Sequence, residues 1–330
     1  MHNNSVGREN GSQLPRDGVE IRVTGLQKRF GDVKAVDGVD LEIKKGELFG
    51  LLGPNGAGKT TTINLITGLL RADGGNICVG GYNLPNEVAK ARALIGFCPQ
   101  EISSVDYLSG AENARLFGTL NGLQGPALQA RITQLFAEMQ LEEKARKRVS
   151  TYSGGMKRRL NLILAIIHDP AIVFLDEPTV GLDPQTRHVV WDYIRSFKEM
   201  GKTVVMTTHY IEEADDLCDR VGIIDQGRII ALGTPRELKE QLPATEEIEI
   251  DLPSDAQVSL DGFSSVDCVV DSKYDEVNSA VKVRTKQGIM RIGDLLALLP
   301  PGVQAEGIHV RDFNLEDLFI QLTGREIRAD

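Results

Sequence analysis

Short apolar runs alternate with longer helical segments over most of the chain. The clearest runs are nearly continuous, as in strands buried on both faces of a parallel sheet, and they lie at residues 48–52, 171–175, 203–207 and 221–224. Segments with helical periodicity lie at residues 59–70, 155–167, 185–200 and 211–218. This alternation, from Val19 to about Gly233, predicts an α/β domain whose core sheet is mainly parallel.

The pattern changes after Leu242 and Pro243. Apolar and polar residues then alternate as in half-exposed antiparallel strands, at 247–252, 266–270 and 280–284, and helical segments follow at 290–299 and 315–322. We therefore predict an α/β domain over residues 19–242 and a small α+β domain over residues 243–330. Residues 1–18 are polar and lack the apolar stretch of a signal peptide, so we expect a flexible tail.

Composition narrows the class of protein. The 330 residues include 37 Lys and Arg against 47 Asp and Glu, a formal net charge of −10 that argues against a nucleic-acid partner. The four cysteines are scattered, without the spacing of a zinc site or a disulfide framework, which predicts reduced thiols in the cytosol. A run of about 18 apolar residues, which a membrane-spanning helix needs, is absent from the sequence.

One segment carries a specific chemical signal between an apolar strand and a helix. It matches G-x-x-x-x-G-K-[ST] in full and consists of Gly53, Pro54, Asn55, Gly56, Ala57, Gly58, Lys59 and Thr60. Glycines let backbone N–H groups converge on phosphate oxygens, and the following helix adds positive charge at its N-terminus. The alternative is a Gly-rich turn that only joins strand to helix. We predict that Lys59 reaches the β and γ phosphates, Thr60 meets Mg²⁺ and Thr61 faces the α phosphate.

Two acids end a later apolar strand, as expected of the second half of such a site. Asp176 is the predicted Mg²⁺ partner, and Glu177 is placed to accept a proton from an attacking water or to hold that water in line. Acids are common at strand ends, so this pair is informative because it occurs together with Lys59.

A further motif gives the chain a family resemblance. Tyr152, Ser153, Gly154, Gly155 and Met156 resemble the signature motif of ABC-transporter ATPases, although Tyr and Met stand where Leu and Gln are more common. The resemblance implies a P-loop NTPase fold of the ABC type, with a mainly parallel core sheet, an antiparallel subdomain and a helical subdomain. It also implies that the chain binds ATP and Mg²⁺.

Other positions match the family motifs in the expected order. Gln100 is similar to the Q-loop glutamine, and the resemblance implies a catalytic and coupling role in which its amide approaches Mg²⁺ or water while its loop contacts the partner. Asp183 is similar to the D-loop aspartate and His209 to the switch histidine that orients Glu177 and water. Phe30 is similar to the aromatic residue that stacks on adenine. Simpler interpretations are a strand-end histidine for His209, a helix N-cap for Asp183 and a core aromatic residue for Phe30.

The resemblance implies that two copies complete each other's sites. In the family, the Ser153, Gly154 and Gly155 positions bind the γ phosphate of ATP held by the other subunit, so we expect a homodimer with two ATP molecules at a twofold interface. Lys157, Arg158 and Arg159 follow the motif, and we interpret them as a solvated basic helix face.

The Met-containing signature and the segment from Asn314 to Arg325 resemble the daunorubicin-resistance and nodulation-type exporter ATPases of bacteria. This implies an ABC-2 type membrane permease as partner, a cytoplasmic location at the inner face of the membrane, and efflux of a drug, lipid or saccharide-like substrate. An importer ATPase or a regulatory ABC ATPase would share every nucleotide motif and stays open. A chromosome-organising ATPase would need a long coiled coil between Lys59 and Asp176, which are only 117 positions apart.

Overall fold

A computed structural model describes residues 18–254, 256, 258–286 and 288–326. Contacts between Cα atoms divide the chain into two compact units, the first ending at Ile230 and the second beginning at Ala231. The domain boundary predicted after Leu242 stays a prediction. Of the predicted flexible tail, residues 1–17 lie outside the described residues.

Strands and helices of the first unit follow the predicted α/β alternation. The strands are β1 (Val19–Phe30), β2 (Val33–Lys44), β3 (Leu48–Leu52), β4 (Gly74–Val79), β5 (Tyr82–Leu84), β6 (Ile95–Cys98), β7 (Ile172–Asp176), β8 (Thr203–Thr208), β9 (Arg220–Asp225) and β10 (Arg228–Gly233), the last of which crosses the unit boundary. The helices are α1 (Lys59–Ile66), α2 (Val88–Arg92), α3 (Gly110–Leu120), α4 (Gly125–Glu138), α5 (Gly154–Ile166), α6 (Pro184–Glu199) and α7 (Ile211–Leu217).

Two sheets organise this unit. A six-stranded sheet has the order β10-β9-β3-β8-β7-β6, and its pairs β9-β3, β3-β8, β8-β7 and β7-β6 are parallel. Every residue of β3, β7 and β8 is buried, because helices cover both faces of a parallel sheet. A second, antiparallel sheet has the order β2-β1-β4-β5. The mainly parallel core sheet and the antiparallel sheet are both confirmed.

The second unit contains helices α8 (Pro235–Lys239), α9 (Ile292–Leu296) and α10 (Leu315–Thr323). Its strands, β11 (Glu246–Asp251), β12 (Val269–Asp275), β13 (Ala280–Thr285) and β14 (Gly307–Asp312), form an antiparallel sheet of order β12-β13-β11-β14. Ile248, Ile250, Val281 and Val283 pack on one face of that sheet with Phe263 and Leu295.

Three details of this unit differ from the sequence prediction. The helix predicted at 290–299 is limited to Ile292–Leu296, after a 3-10 turn at Gly288–Arg291. The strand predicted at 266–270 runs instead from Val269 to Asp275. Val266 is not part of it, because it follows a 3-10 turn and packs in the core. The strand extends to Asp275 because residues 271–275 pair with β13. Strand β14 was not predicted, although Ile308 and Val310 alternate with polar residues in it; the alternation is short, and all six residues are half-exposed or exposed at a sheet edge.

Candidate active site

The carboxyl ends of three neighbouring parallel strands meet at one edge of the core sheet. The phosphate loop follows β3, Asp176 ends β7, and Thr207 and Thr208 end β8. The register places Asp176 opposite Thr207 and Leu52 opposite Thr208. Ligands of open α/β sheets bind at such edges, so this arrangement brings the predicted chemistry together.

Backbone shape explains two glycines of the phosphate loop. Gly58 has φ of 104° at the N-cap of α1, and a Cβ there would lie 2.3 Å from the carbonyl oxygen of Ala35. A Cβ at Gly53 would lie equally close, 2.3 Å, to the carbonyl oxygen of Ile224. The loop therefore needs glycine at both positions to pass between neighbouring backbones.

A cavity of about 450 Å³ opens over this loop. Of the predicted site residues, those that line it are Pro54, Asn55, Gly56, Gly58, Lys59, Thr60, Thr61, Gln100 and Glu177. Gly53 and Ala57 belong to the same loop without lining the cavity. The residues that line the cavity include none from the signature motif.

The ammonium group of Lys59 has three oxygen partners in this structure. Its Nζ donates to the carbonyl oxygens of Gly53 at 2.7 Å and Pro54 at 3.1 Å, and it lies 3.1 Å from Oε1 of Glu177. The lysine is only 4% exposed. A buried ammonium group needs such compensation, and it uses the three donors that a lysine has.

Asp176 is joined to two threonine hydroxyls. Its Oδ1 accepts hydrogen bonds from Thr60 at 3.2 Å and from Thr207 at 2.5 Å. Oxygen donors of this kind suit Mg²⁺, which is usually held by one or two protein groups together with phosphates and water. The carboxylate of Asp176 and the hydroxyl of Thr60 therefore fit a metal shared with a bound phosphate. Among the described residues there is no group of three or more His, Cys, Asp or Glu that could hold a metal ion.

Glu177 and His209 are paired, as expected for a general base and its orienting residue. Nδ1 of His209 lies 2.9 Å from Oε2 of Glu177, and the two residues are 8% and 5% exposed. Burial acts to raise the pKa of Glu177, but the hydrogen bond with His209 and the charge of Lys59 outweigh it and hold the pKa below its usual value. Glu177 is therefore a carboxylate at neutral pH, and Nδ1 of His209 carries the proton that it shares.

Ser153, Gly154 and Gly155 of the signature motif form a separate, open surface, called the signature surface below, whereas Tyr152 is buried. Ser153 caps helix α5, where its hydroxyl accepts a hydrogen bond from the Met156 N–H at 3.3 Å, and the serine is exposed. A Cβ added at Gly154 would meet open space, whereas one at Gly155 would lie 2.5 Å from Cγ2 of Thr186. The helix N-terminus is thus uncovered, and one of its two glycines, Gly155, is required for packing against Thr186. Its binding of an anion stays a prediction.

The other predicted residues, Asp183 and Phe30, do not line the cavity. Asp183 is the N-cap of α6, where it accepts hydrogen bonds from the N–H of Thr186 at 2.9 Å and from its hydroxyl at 2.7 Å. Phe30 ends strand β1 with half of its surface exposed and does not line the cavity, although Val33 of the next strand does. Asp183 therefore is an N-cap; its action across an interface and the stacking of Phe30 stay predictions.

Arg158 contradicts the prediction of a solvated basic helix face. It is 3% exposed, and all five of its hydrogen-bond acceptors are main-chain carbonyl oxygens. Arg159 also turns inward and donates to the carbonyl oxygen of Met139 at 2.9 Å, while Lys157 pairs with Asp106 at 2.8 Å. A sequence signal was present, because Arg158 lies four positions before Leu162 and so on the same side of α5 as a core residue.

A second polar network was also missed. The carboxylate of Glu213 is fully buried and accepts hydrogen bonds from the hydroxyls of Thr179 and Thr208 and from the indole N–H of Trp191 at 3.0 Å. These contacts join α6 and α7 to Thr208, which ends β8 and directly precedes His209 in the sequence. The network fixes the strand end that carries the histidine.

A phosphate loop, an Asp-Glu strand end, a paired histidine and a glycine-containing helix N-terminus together define an ABC-type ATPase. Residues 36–180 match the family model of ABC transporters. The chain is 39% identical over 309 residues to a linearmycin resistance ATP-binding protein of Bacillus subtilis, covering 93% of this chain and 99% of that protein. The chain therefore belongs to the ATP-binding proteins of ABC transporters, and it binds and hydrolyses ATP.

Further relatives match over a similar share of their length and at similar identity. A daunorubicin resistance ATP-binding protein of Streptomyces coeruleorubidus is 40% identical, with 94% of this chain and 97% of that protein covered. A Nod factor export ATP-binding protein of Ralstonia nicotianae is 36% identical, with 93% and 95% covered. These values confirm the resemblance to resistance and nodulation-type ATP-binding proteins.

Solved structures resemble about two thirds of the chain. The ATP-binding subunit of an ABC transporter is similar with a TM-score of 0.62 and 29% identity, covering 67% of this chain and 92% of that chain. A dimeric ATP-binding cassette bound to ADP and Pi has a TM-score of 0.60 and 26% identity, covering 65% and 98%. Among the described residues, no helix is both long and apolar enough to cross a bilayer.

Proposed function

We propose that this chain is the ATP-hydrolysing subunit of a bacterial ABC-2 type exporter, which powers efflux of a drug, lipid or saccharide-like substrate through a separate permease. The observation that carries the proposal is the similarity over more than 90% of the chain to ATP-binding proteins named for resistance and export. The subunit would act in the cytoplasm at the inner face of the membrane. The residues of the site support the proposal of ATP hydrolysis, whereas the similarity to these relatives supports the proposal of export.

Lys59 and Glu177 carry the first step of the proposed mechanism. In the structure, Glu177 is one of three partners of Lys59. The phosphates of ATP would compete for the ammonium group, because they bring more negative charge than one carboxylate. Binding of substrate would thereby release one oxygen of Glu177 to hold a water molecule.

Glu177 and His209 carry the second step. The released Oε1 of Glu177 would accept a proton from the attacking water while Oε2 stays fixed by Nδ1 of His209. The buried network around Glu213 binds the hydroxyl of Thr208, the residue before His209, and so helps to fix the backbone that carries the histidine. Asp176 and Thr60, with Gln100 at the cavity wall, would hold Mg²⁺, which supplies charge neutralisation at the phosphates when bound.

The signature surface supports a homodimer. Ser153, Gly154 and Gly155 stand outside the lining of the phosphate-loop cavity, and Ser153 and Gly154 are exposed. A second copy would cover each signature surface with its nucleotide, and the twofold pair would contain two sites. Loss of the γ phosphate would remove the group that both copies contact and allow the pair to open.

The partner can be tested by affinity purification of the tagged full chain from membranes of its own host after chemical cross-linking. The proposal expects a polytopic permease of the ABC-2 class, with ATP turnover of the complex changed by its transported substrate. Recovery of an importer permease with a solute-binding protein would replace export by import. Recovery of no membrane protein, together with normal ATP turnover, would favour a regulatory ATPase.

A further inference from the structure

One buried guanidinium group connects three segments that are far apart in the sequence. Arg158 lies in the first turns of α5, directly after the exposed signature surface. Its Nη1 donates to the carbonyl oxygens of Pro99 at 3.1 Å and Gln100 at 2.9 Å, in the segment that follows β6. Its Nη2 and Nε donate to the carbonyl oxygens of Asp176, Glu177 and Pro178.

The backbone of Glu177 needs such support. Its φ is 47°, a left-handed conformation that is uncommon for residues with a side chain. Both main-chain polar groups of Glu177 have hydrogen-bond partners. The N–H donates to Oγ1 of Thr207 at 3.0 Å, and the carbonyl oxygen accepts a hydrogen bond from Arg158. Threonine and arginine thus hold the residue from its two sides.

This conformation determines where the carboxylate points. With it, Oε1 reaches Lys59 at 3.1 Å and Oε2 reaches His209 at 2.9 Å. A right-handed φ at the same position would send the side chain in a different direction from the strand end. The alignment of Glu177 therefore depends on the contacts that hold its backbone.

We propose that Arg158 is a positioning residue for ATP hydrolysis, which fixes the backbone of Glu177 and couples its alignment to the Gln100 segment and to the signature helix. A shift of α5 moves the guanidinium group and with it the carbonyl groups on which Glu177 depends. Arginine suits this task because its planar fork offers five donors in fixed directions, which lysine lacks. The inference rests on the proposed role of Glu177 as the water-orienting base.

The test compares Arg158→Met and Arg158→Lys with Arg159→Met in the full chain. Arg159 is a matched control, since it is the next residue of the same helix and donates to Met139 instead of the Glu177 segment. We expect Arg158→Met to lower kcat roughly 10- to 100-fold with KM for ATP within about threefold of the unchanged chain, because misplacement of a reacting group affects the chemical step. Arg158→Lys should lose roughly 3- to 10-fold in kcat, and Arg159→Met less than about threefold.

A double variant separates positioning from a general structural role. If Arg158 acts through Glu177, Arg158→Met added to Glu177→Gln should cause less than about twofold further loss in single-turnover hydrolysis, because effects of residues that act as a unit do not multiply. A full multiplicative loss would overturn the inference, as would normal kcat in Arg158→Lys. If Arg158→Met does not fold by circular dichroism, the lysine variant and its double with Glu177→Gln decide the question. Near-normal turnover in Glu177→Gln alone would instead remove the proposed role of Glu177.

Discussion

The two halves of the proposed nucleotide site differ in how completely their polar groups are satisfied within one chain. On the phosphate-loop side, Lys59, Asp176 and Glu177 are buried. Lys59 pairs with Glu177, and Asp176 accepts a hydrogen bond from Thr60, the residue after Lys59. On the signature side, Ser153 is exposed, and the space beside Gly154 is empty of neighbouring side chains. One half is a finished internal network, whereas the other is an open surface.

This difference separates two kinds of chemistry. We expect the buried half to bind a nucleotide and align a base by itself, because its residues are fixed at the strand ends of the core sheet. The open half offers only a hydroxyl and the N-terminus of α5, which we expect to bind an anion once another molecule covers them. Substitutions in the two halves should therefore have different effects on ATP affinity, ATP turnover and stability.

The largest effect should come from Glu177→Gln. Glutamine keeps the size of the side chain and can still face His209, but it cannot accept the proton of water. We expect kcat to fall roughly 100-fold or more while ATP affinity stays near that of the unchanged chain. Steady-state hydrolysis and equilibrium nucleotide binding measure the two quantities. Hydrolysis within threefold of the unchanged chain would exclude Glu177 as the base.

Lys59→Ala should affect binding itself, since it removes the buried ammonium group that faces the cavity. We expect ATP affinity to weaken roughly 10- to 100-fold, as for the loss of a charged hydrogen-bonding group on a phosphate. Equilibrium binding of a fluorescent ATP analogue checks this. Glu177→Gln is the control, because it changes the same ion pair without removing the positive charge. Unchanged affinity in Lys59→Ala would count against the phosphate-loop assignment.

A glycine pair contrasts the packing of the two halves. Gly58→Ala places a methyl group 2.3 Å from the Ala35 carbonyl at a φ of 104°, so we expect the free energy of unfolding to fall by about 1–3 kcal/mol. Gly154→Ala meets open space and should change it by less than about 0.5 kcal/mol. Urea unfolding measures both variants. Equal losses would mean that the two loops are packed alike.

Ser153→Ala should lower turnover much less than Glu177→Gln does. It removes a hydroxyl from the open half, and we expect kcat to fall roughly 5- to 10-fold with ATP affinity of the isolated chain nearly unchanged. The loss of the N-cap is a separate effect, and it is measured by thermal unfolding of the same variant. An equal loss of affinity and turnover would argue that the serine completes the site of its own chain.

Much of this difference between the halves could be predicted from the sequence. The apolar run at 48–52 is strand β3 without a change, and the phosphate loop, Asp176 and Glu177 follow their strands as expected. The helix predicted at 59–70 ends earlier, at Ile66, because Gly68 takes a left-handed φ of 71°. The local sequence pattern was sufficient to predict a residue's position wherever that position depends only on the residue's own strand or helix.

The rest depends on contacts between distant segments. Arg158 follows a basic neighbour in sequence, and only the fold brings the carbonyl groups of Pro99 and Glu177 to it. The left-handed backbone of Glu177 also leaves no trace in the sequence, because glutamate does not favour it. Both features come from the meeting of α5 with the ends of β6 and β7.

The central claim, that each copy completes the site of another, is tested most directly by mixing two inactive variants. Lys59→Ala disables only the phosphate-loop half, and Ser153→Arg blocks only the signature half. If the halves combine between chains, a mixed pair contains one intact site, so an equal mixture should regain roughly a quarter of normal ATP turnover. Turnover no higher than the average of the two separate variants would contradict the account, because it would mean that each chain builds its site alone.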